Sequence, residues 1–474
     1  VPRAAAPLAV LLLAGAGTIA FAALAMAQGD GSATDNPDLL RGPVGVGCRP
    51  GTLCHFPPID PNAPQRPVAP IVIAQPAASP TPAPAIMPAV SPTATDSFVA
   101  SPPMGVPFAE PSREWDTEYA LSLRGAYVRS DAGERFELLA IPEIALSRQA
   151  LATDIGIGAS ATVIAPNTSD ARLGAADIDA SVTHRLSPGA ALNFDASLEF
   201  TEDDPSGLTV EDADVDSAPQ TIDGAVSLAY GQRLGQFDLV ALGDLSRRWV
   251  GDTTLDDGTS VDNSDDDVFG YGAGLRVGYA VTPIIGTFVS GRAGREDYSN
   301  PDTDLGISRS GADYTLRGGI TGNWSDVVTL EASVGSGWRD FDNSALEDAQ
   351  SWLYGAAIGF APNSTTQLVA SLDTRLSGGS GASGASTSYD AALEATHRIT
   401  PWLALRANVS AGWDVPVDGS ATTRTSGLGT GADIAIGPHT SATLDYGYGW
   451  REDPNAVDPS REEHRISGGI TLRY

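Results

Sequence analysis

The sequence predicts an all-β protein: a transmembrane antiparallel up-and-down β-barrel of about eighteen strands, preceded by a disordered Pro-rich segment. Three observations carry this expectation. From about Glu118 onward, apolar and polar side chains alternate with a period of two. The connections between the alternating runs are short and long in turn. The chain also opens on an apolar segment with a small-residue cleavage motif, which marks export.

The first element is the export segment, residues 1–27. Arg3 gives it a positive start, Leu8 to Ala25 is uncharged and almost wholly apolar, and Ala25-Met26-Ala27 supplies small residues for signal peptidase. The uncharged run could also span a bilayer as a retained anchor, but Ala and Gly dilute it, so a cleaved signal peptide is the expectation.

The second element, residues 28–114, holds 19 of the 34 prolines. Proline fixes φ and lacks the N–H donor, so a run such as Ala74 to Pro84 builds neither helix nor central strand. This zone reads as a periplasmic tether, a spacer or an arm that contacts peptidoglycan. Its Cys48 and Cys54 are the two cysteines of the chain. They are a candidate disulfide in an oxidising periplasm; free thiols, or a metal shared with His55, are the alternatives. The CxxCH spacing of haem attachment is absent, and no cofactor is expected.

Residues 115–474 form the third element. In its last run Ile466, Gly468, Ile470, Leu472 and Tyr474 share one face, while Arg465, Ser467, Gly469, Thr471 and Arg473 share the other. The same alternation recurs at Phe136/Leu138/Ala140, Leu192/Phe194/Ala196, Tyr271/Ala273/Leu275, Trp352/Tyr354/Ala356 and Leu444/Tyr446/Tyr448. Eighteen such segments follow one another, from 118–129 to 463–474, each near the length a tilted membrane strand needs. Short connections fall at Ser187-Pro188-Gly189, Gly235-Gln236 and Gly437-Pro438, and long polar ones at 202–219, 251–267 and 298–310. A soluble sandwich would explain the alternation but not the export signal or the alternating connections.

If the apolar positions face lipid, the opposite parity lines a lumen. That rule selects as pore-lining Arg124, Arg185, Arg233, Arg276, Arg317, Arg339, Arg375 and Arg406. It also selects Glu137, Asp195, Glu199, Asp238, Glu331, Asp373, Glu394 and Asp445. Charge on a lipid face costs about 2–4 kcal/mol at mid-membrane, so this segregation checks the register. Two outcomes stand open: charged rows that filter solutes in an open lumen, or charges that pair and close it.

Composition narrows the function. The chain carries 59 acidic against 28 basic residues, a net charge of −31, and every basic residue is Arg. Such a surface excludes nucleic-acid binding. The five His are scattered and no G-x-S-x-G elbow is present, so no catalytic residues are assigned and the chain is not read as an enzyme. Asp212, Asp214, Asp216 and Asp223 mimic calcium-loop spacing, but Ser217 and Pro219 break the pattern, and a solvated acidic loop is the expectation.

The strand–turn–strand units ending at Arg398-Ile399-Thr400-Pro401-Trp402-Leu403, and the terminal Gly469-Ile470-Thr471-Leu472-Arg473-Tyr474, resemble the family called putative beta-barrel porin 2. The terminal Ile470, Leu472 and Tyr474 also look like the signal read by the barrel-assembly machinery. The resemblance implies a porin-like barrel in the cell outer membrane of a Gram-negative bacterium, in contact with outer-membrane lipid and lipopolysaccharide. It implies no defined substrate; from the polar lumen, passive diffusion of small hydrophilic solutes is the expectation, with exopolysaccharide export or a closed structural barrel as alternatives.

Overall fold

The structure is a computed structural model that describes residues 115–474 apart from 132, 168–169, 203, 205–206, 208–214, 303–305, 326, 379–383, 455 and 457–458. The signal peptide, the tether, Cys48, Cys54, Asp212 and Asp214 lie outside the described residues. The strands are β1 (Asp116–Ser130), β2 (Gly133–Gln149), β3 (Thr153–Pro166), β4 (Arg172–Ser187), β5 (Ala190–Glu202), β6 (Val215–Ser217) and β7 (Gln220–Leu234). Next come β8 (Phe237–Val250), β9 (Thr253–Leu255), β10 (Ser260–Val261), β11 (Val268–Ala280), β12 (Ile285–Tyr298), β13 (Gly311–Trp324) and β14 (Val328–Phe341). The last are β15 (Ala349–Asn363), β16 (Thr366–Gly378), β17 (Ala385–Thr400), β18 (Leu403–Pro416), β19 (Thr423–Gly437), β20 (Thr440–Glu452) and β21 (Ser460–Arg473).

Eighteen of these form one antiparallel sheet in which each strand pairs with its neighbours in sequence. The sheet closes where β1 meets β21, with Leu123 opposite Ile470 and Ala120 opposite Arg473. Closure leaves no strand without a ladder partner on each side, as a wall in lipid requires. Because the strand number is even, the first strand starts and the last strand ends at the same rim.

The face of the alternation that points outward is decided by exposure. Leu123, Leu138 and Leu444 are 54%, 68% and 58% exposed, while Ser122, Glu137 and Thr443 beside them are 1%, 3% and 5%. The apolar side chains therefore cover the outside of the barrel and the polar ones its interior. Aromatic side chains collect toward the ends of the strands, as at a membrane interface. Trp324, Trp402, Phe237 and Tyr279 stand at the rim of short turns; Trp249, Trp338, Trp413 and Trp450 stand toward the other.

Connections at the first rim are as short as 188–189, 235–236 and 438–439, and those at the opposite rim run to 203–219, 251–267 and 299–310. The β1–β2 hairpin, residues 131–132, is a short connection at the long-loop rim. The long loops are built rather than plain. Strands β6, β9 and β10 make a small second sheet that joins 203–219 to 251–267 around Val215, Ala218 and Leu255. Arg309 ties the third loop to the second: it is 3% exposed, lies 3.1 Å from Asp302 and 2.8 Å from Asp266, and covers the Tyr298 ring at 4.5 Å.

Candidate functional site on the inner face

The ladder registers put all sixteen residues selected by parity on the inner face. Arg124 stands opposite Gly469, Glu331 opposite Thr321, Asp373 opposite Gly355, and Glu394 opposite Asn408. Arg185 and Arg233 sit beside the short turns, where they pair with Asp154 and with Asp238 at 2.9 Å.

The interior charges meet along the wall. Arg276 on β11 donates two bonds of 2.9 Å to Glu331 on β14, and its guanidinium lies 3.6 Å from the centre of the Phe288 ring. Arg406 lies 2.7 Å from Asp433 and 2.8 Å from Asp445, and Arg124 lies 3.7 Å from Asp445. Arg317 reaches Asp373 at 3.4 Å, Arg375 reaches Asp390 at 2.6 Å, and Arg339 reaches Glu296 at 2.7 Å. Each of these pairs joins strands at most three apart. Neighbouring strands lie only about 4.8 Å apart, so a long guanidinium finds a carboxylate on the same wall before it spans a lumen.

Several partners escaped the sequence reading. Arg135, Arg172 and Arg292 face inward, as do Asp177, Asp223, Asp313 and Asp433. Arg135 donates to Glu137 at 2.7 Å, Arg465 donates to the other oxygen of Glu137, and both Arg135 and Arg172 hold Asp204 at 3.0 Å. Parity with Glu137 was the signal available for Arg135. For Arg292 the alternation is blurred by Gly286, Gly291 and Gly294. Gly294, and Gly272 on the neighbouring strand, leave room for the Arg292 guanidinium, which a Cβ at either position would crowd and which bridges Asp244 at 2.7 Å and Asp313 at 3.0 Å.

In one sector three carboxylates stand in a row across neighbouring strands. Asp177 on β4 stands directly opposite Glu199 on β5, and Glu199 directly opposite Asp223 on β7. Asp223 is met by Arg248 at 2.9 Å. Among the described residues no salt bridge reaches Asp195, Glu199 or Glu394. No group of three or more His, Cys, Asp or Glu among the described residues is placed to hold a metal ion.

Ile470 and Leu472 lie on the outer face of β21, opposite Leu123 and Leu121, and Tyr474 follows the strand with 79% of its surface exposed. They stand at the seam where the barrel closes.

Solved structures of similar architecture include the outer membrane protein OpdK of Pseudomonas aeruginosa, at 12% identity and a TM-score of 0.38, covering 76% of this chain and 99% of that one. OccK5 (OpdH) of the same organism matches at 12% identity and 0.39, covering 76% and 98%. A mutant of its ferric enterobactin receptor PfeA matches at 10% and 0.39, covering 76% and 80%. No curated protein matches the chain. The family model described as putative beta-barrel porin 2 matches residues 147–474, all of the barrel but β1 and most of β2. With its apolar exterior, polar interior and closed eighteen-stranded sheet, the chain belongs to the putative beta-barrel porin 2 family of the outer membrane.

Proposed function

We propose that the barrel is a channel for passive diffusion of small hydrophilic solutes. One observation carries the reading: the interior arginines are neutralised by carboxylates on their own wall, so the charge pairs described do not tie opposite walls together. A polar interior of paired charges offers solutes hydrogen-bonding groups without a fixed plug of ion pairs. The residues assigned to the lining are Arg124, Arg276, Arg317, Arg375 and Arg406 with their acidic partners, and Asp195, Glu199 and Glu394; Arg339 shares their face but is 0% exposed.

A channel rather than an enzyme fits the family and the fold. The apolar outer band is suited to outer-membrane lipid and lipopolysaccharide, and the outward-facing Ile470 and Leu472 with the exposed Tyr474 to recognition by the assembly machinery. The test is single-channel conductance of the full-length protein in a planar bilayer, with reversal potentials recorded in a salt gradient. Stable openings support the reading. Silence from protein shown to be folded favours the closed structural barrel, which the burial of Arg339 at 0%, Glu463 at 1% and Arg465 at 4% would then explain.

A further inference from the structure

The wall is not uniform. β14 pairs with β15 from Val328 to Arg339, and β16 pairs with β17 along its whole length. Between β15 and β16 the ladder stops at Gly355 opposite Asp373. Beyond it, toward the long-loop rim, Ala349–Tyr354 and Thr374–Gly378 have no ladder partner in each other.

The outer half of β16 tucks inside the wall instead. The carbonyl of Thr374 accepts a hydrogen bond of 2.7 Å from Arg317 on β13. A Cβ on Gly337 of β14 would lie 3.5 Å from the Leu376 Cβ, and one on Gly378 would lie 2.8 Å from the Tyr298 hydroxyl and 3.0 Å from Arg339. Thr374 belongs to the outward parity of its strand, yet it is 0% exposed and its buried hydroxyl has no hydrogen-bond partner. A cavity of about 80 Å³ opens beside this segment, lined by Arg292, Asp313, Arg317, Leu353, Arg375 and Leu376 among others.

Two seats are therefore available to one segment. In the inward seat it narrows the lumen and is held by Arg317 and the gap above Gly337. In the other it would continue the register set by Gly355 and Asp373 and complete the ladder, satisfying edge groups that are costly to leave bare beside lipid. We propose that Thr374–Gly378 is a gate that exchanges between these seats. The gating of solute rests on the channel reading above; the two seats do not.

Paired cysteines test it in the full-length chain with Cys48→Ser and Cys54→Ser as the parent. Gly337→Cys with Leu376→Cys reports the inward seat, because the Cβ separation suits a disulfide, whereas strands two apart in a regular ladder are about 10 Å apart. Ser351→Cys with Ser377→Cys reports the wall seat, where the continued register makes them direct neighbours. Both pairs should cross-link in inserted protein under mild oxidation, the second more slowly. Oxidation should lower the conductance of the first and raise that of the second by roughly twofold, reversibly on reduction. Arg317→Ala should speed the second cross-link several-fold. Failure of the first pair in folded protein, or of the second in every background, overturns the exchange. Both cross-links with unchanged currents overturn the gate. Both cross-links in a barrel whose parent is silent support the two seats and overturn the channel reading alone.

Discussion

Tyr119 and Tyr474 exchange both of their backbone hydrogen bonds, each at 2.9 Å, and so fasten the last residue of the chain to the first strand of the barrel. On the inner face of the same seam, Ser122 Oγ and Thr471 Oγ1 lie 2.7 Å apart in a hydrogen bond. The terminal tyrosine thus has a main-chain role in closure and an exposed ring beyond it. The two can be separated. Tyr474→Ser keeps the backbone pair and removes the ring; deleting Tyr474 removes both. Tyr474→Ser should reduce assembly in cells several-fold while leaving refolding into detergent unchanged. The deletion should also lower stability in detergent by about 1–3 kcal/mol, from two lost hydrogen bonds. Heat-modifiability on gels, in cells and after refolding, reads both. Equal assembly of Tyr474→Ser and the native chain would remove the signal role.

The bidentate Arg276–Glu331 pair makes a second prediction. Arg276 is 7% exposed, with its charge set between Glu331 and the face of Phe288. Glu331→Ala strips the guanidinium of its two-bond partner and should cost about 3 kcal/mol, because a buried pair is broken from one side. Arg276→Met with Glu331→Leu removes both charges and should recover most of that loss. Urea unfolding followed by tryptophan fluorescence would compare them; a double variant no better than Glu331→Ala would contradict the argument.

The barrel was legible in the sequence because lipid demands apolar side chains at every second position, a local signal that needs no knowledge of neighbours. That signal gave eighteen segments within a few residues of the observed strands and put Arg276, Glu331 and Asp373 on the inner face. It could not give the pairing of Arg276 with Glu331, since strands three apart meet only once the register and closure exist. The same limit hid β6, β9 and β10, which form between two loops. It hid the inward turn of β16 as well, because residues 366–378 alternate identically whether their neighbour is β15 or the inside of β14. Arg135 and Arg292 were missed for a simpler reason: the first stands at the start of its strand, and glycines interrupt the alternation around the second.

Loop turns should respond to acid in a defined direction. The hydroxyls and backbone N–H groups of Thr259 and Ser264 hold the carboxyls of Asp257 and Asp262 below the usual range, and the backbone N–H and hydroxyl of Ser420 do the same for Asp418. A folded value below the unfolded one means the turn is stabilised above about pH 4 and loses that stabilisation as pH falls through the folded value. Protection of the Thr259, Ser264 and Ser420 amides, corrected for intrinsic exchange, should fall on acidification. Asp262→Asn should make Ser264 protection independent of pH.

The last prediction concerns selectivity. Asp177, Glu199 and Asp223 stand side by side on β4, β5 and β7, and like charges directly opposite each other destabilise a sheet. On the β11–β14 wall, by contrast, Arg276, Arg292 and Arg339 each meet a carboxylate. Three carboxylates thus follow one another across neighbouring strands here, with Arg248 at the end of the row. In an open lumen that sector would attract cations and repel anions over about a Debye length, roughly 10 Å at 0.1 M salt. Glu199→Gln should shift the reversal potential toward anions, and adding Asp177→Asn should shift it further, both more strongly at low salt. Because the substitutions also relieve repulsion across the ladder, the barrel should become more resistant to unfolding as it becomes less selective. A barrel stabilised by Glu199→Gln with an unmoved reversal potential would mean that the row faces no conducting path.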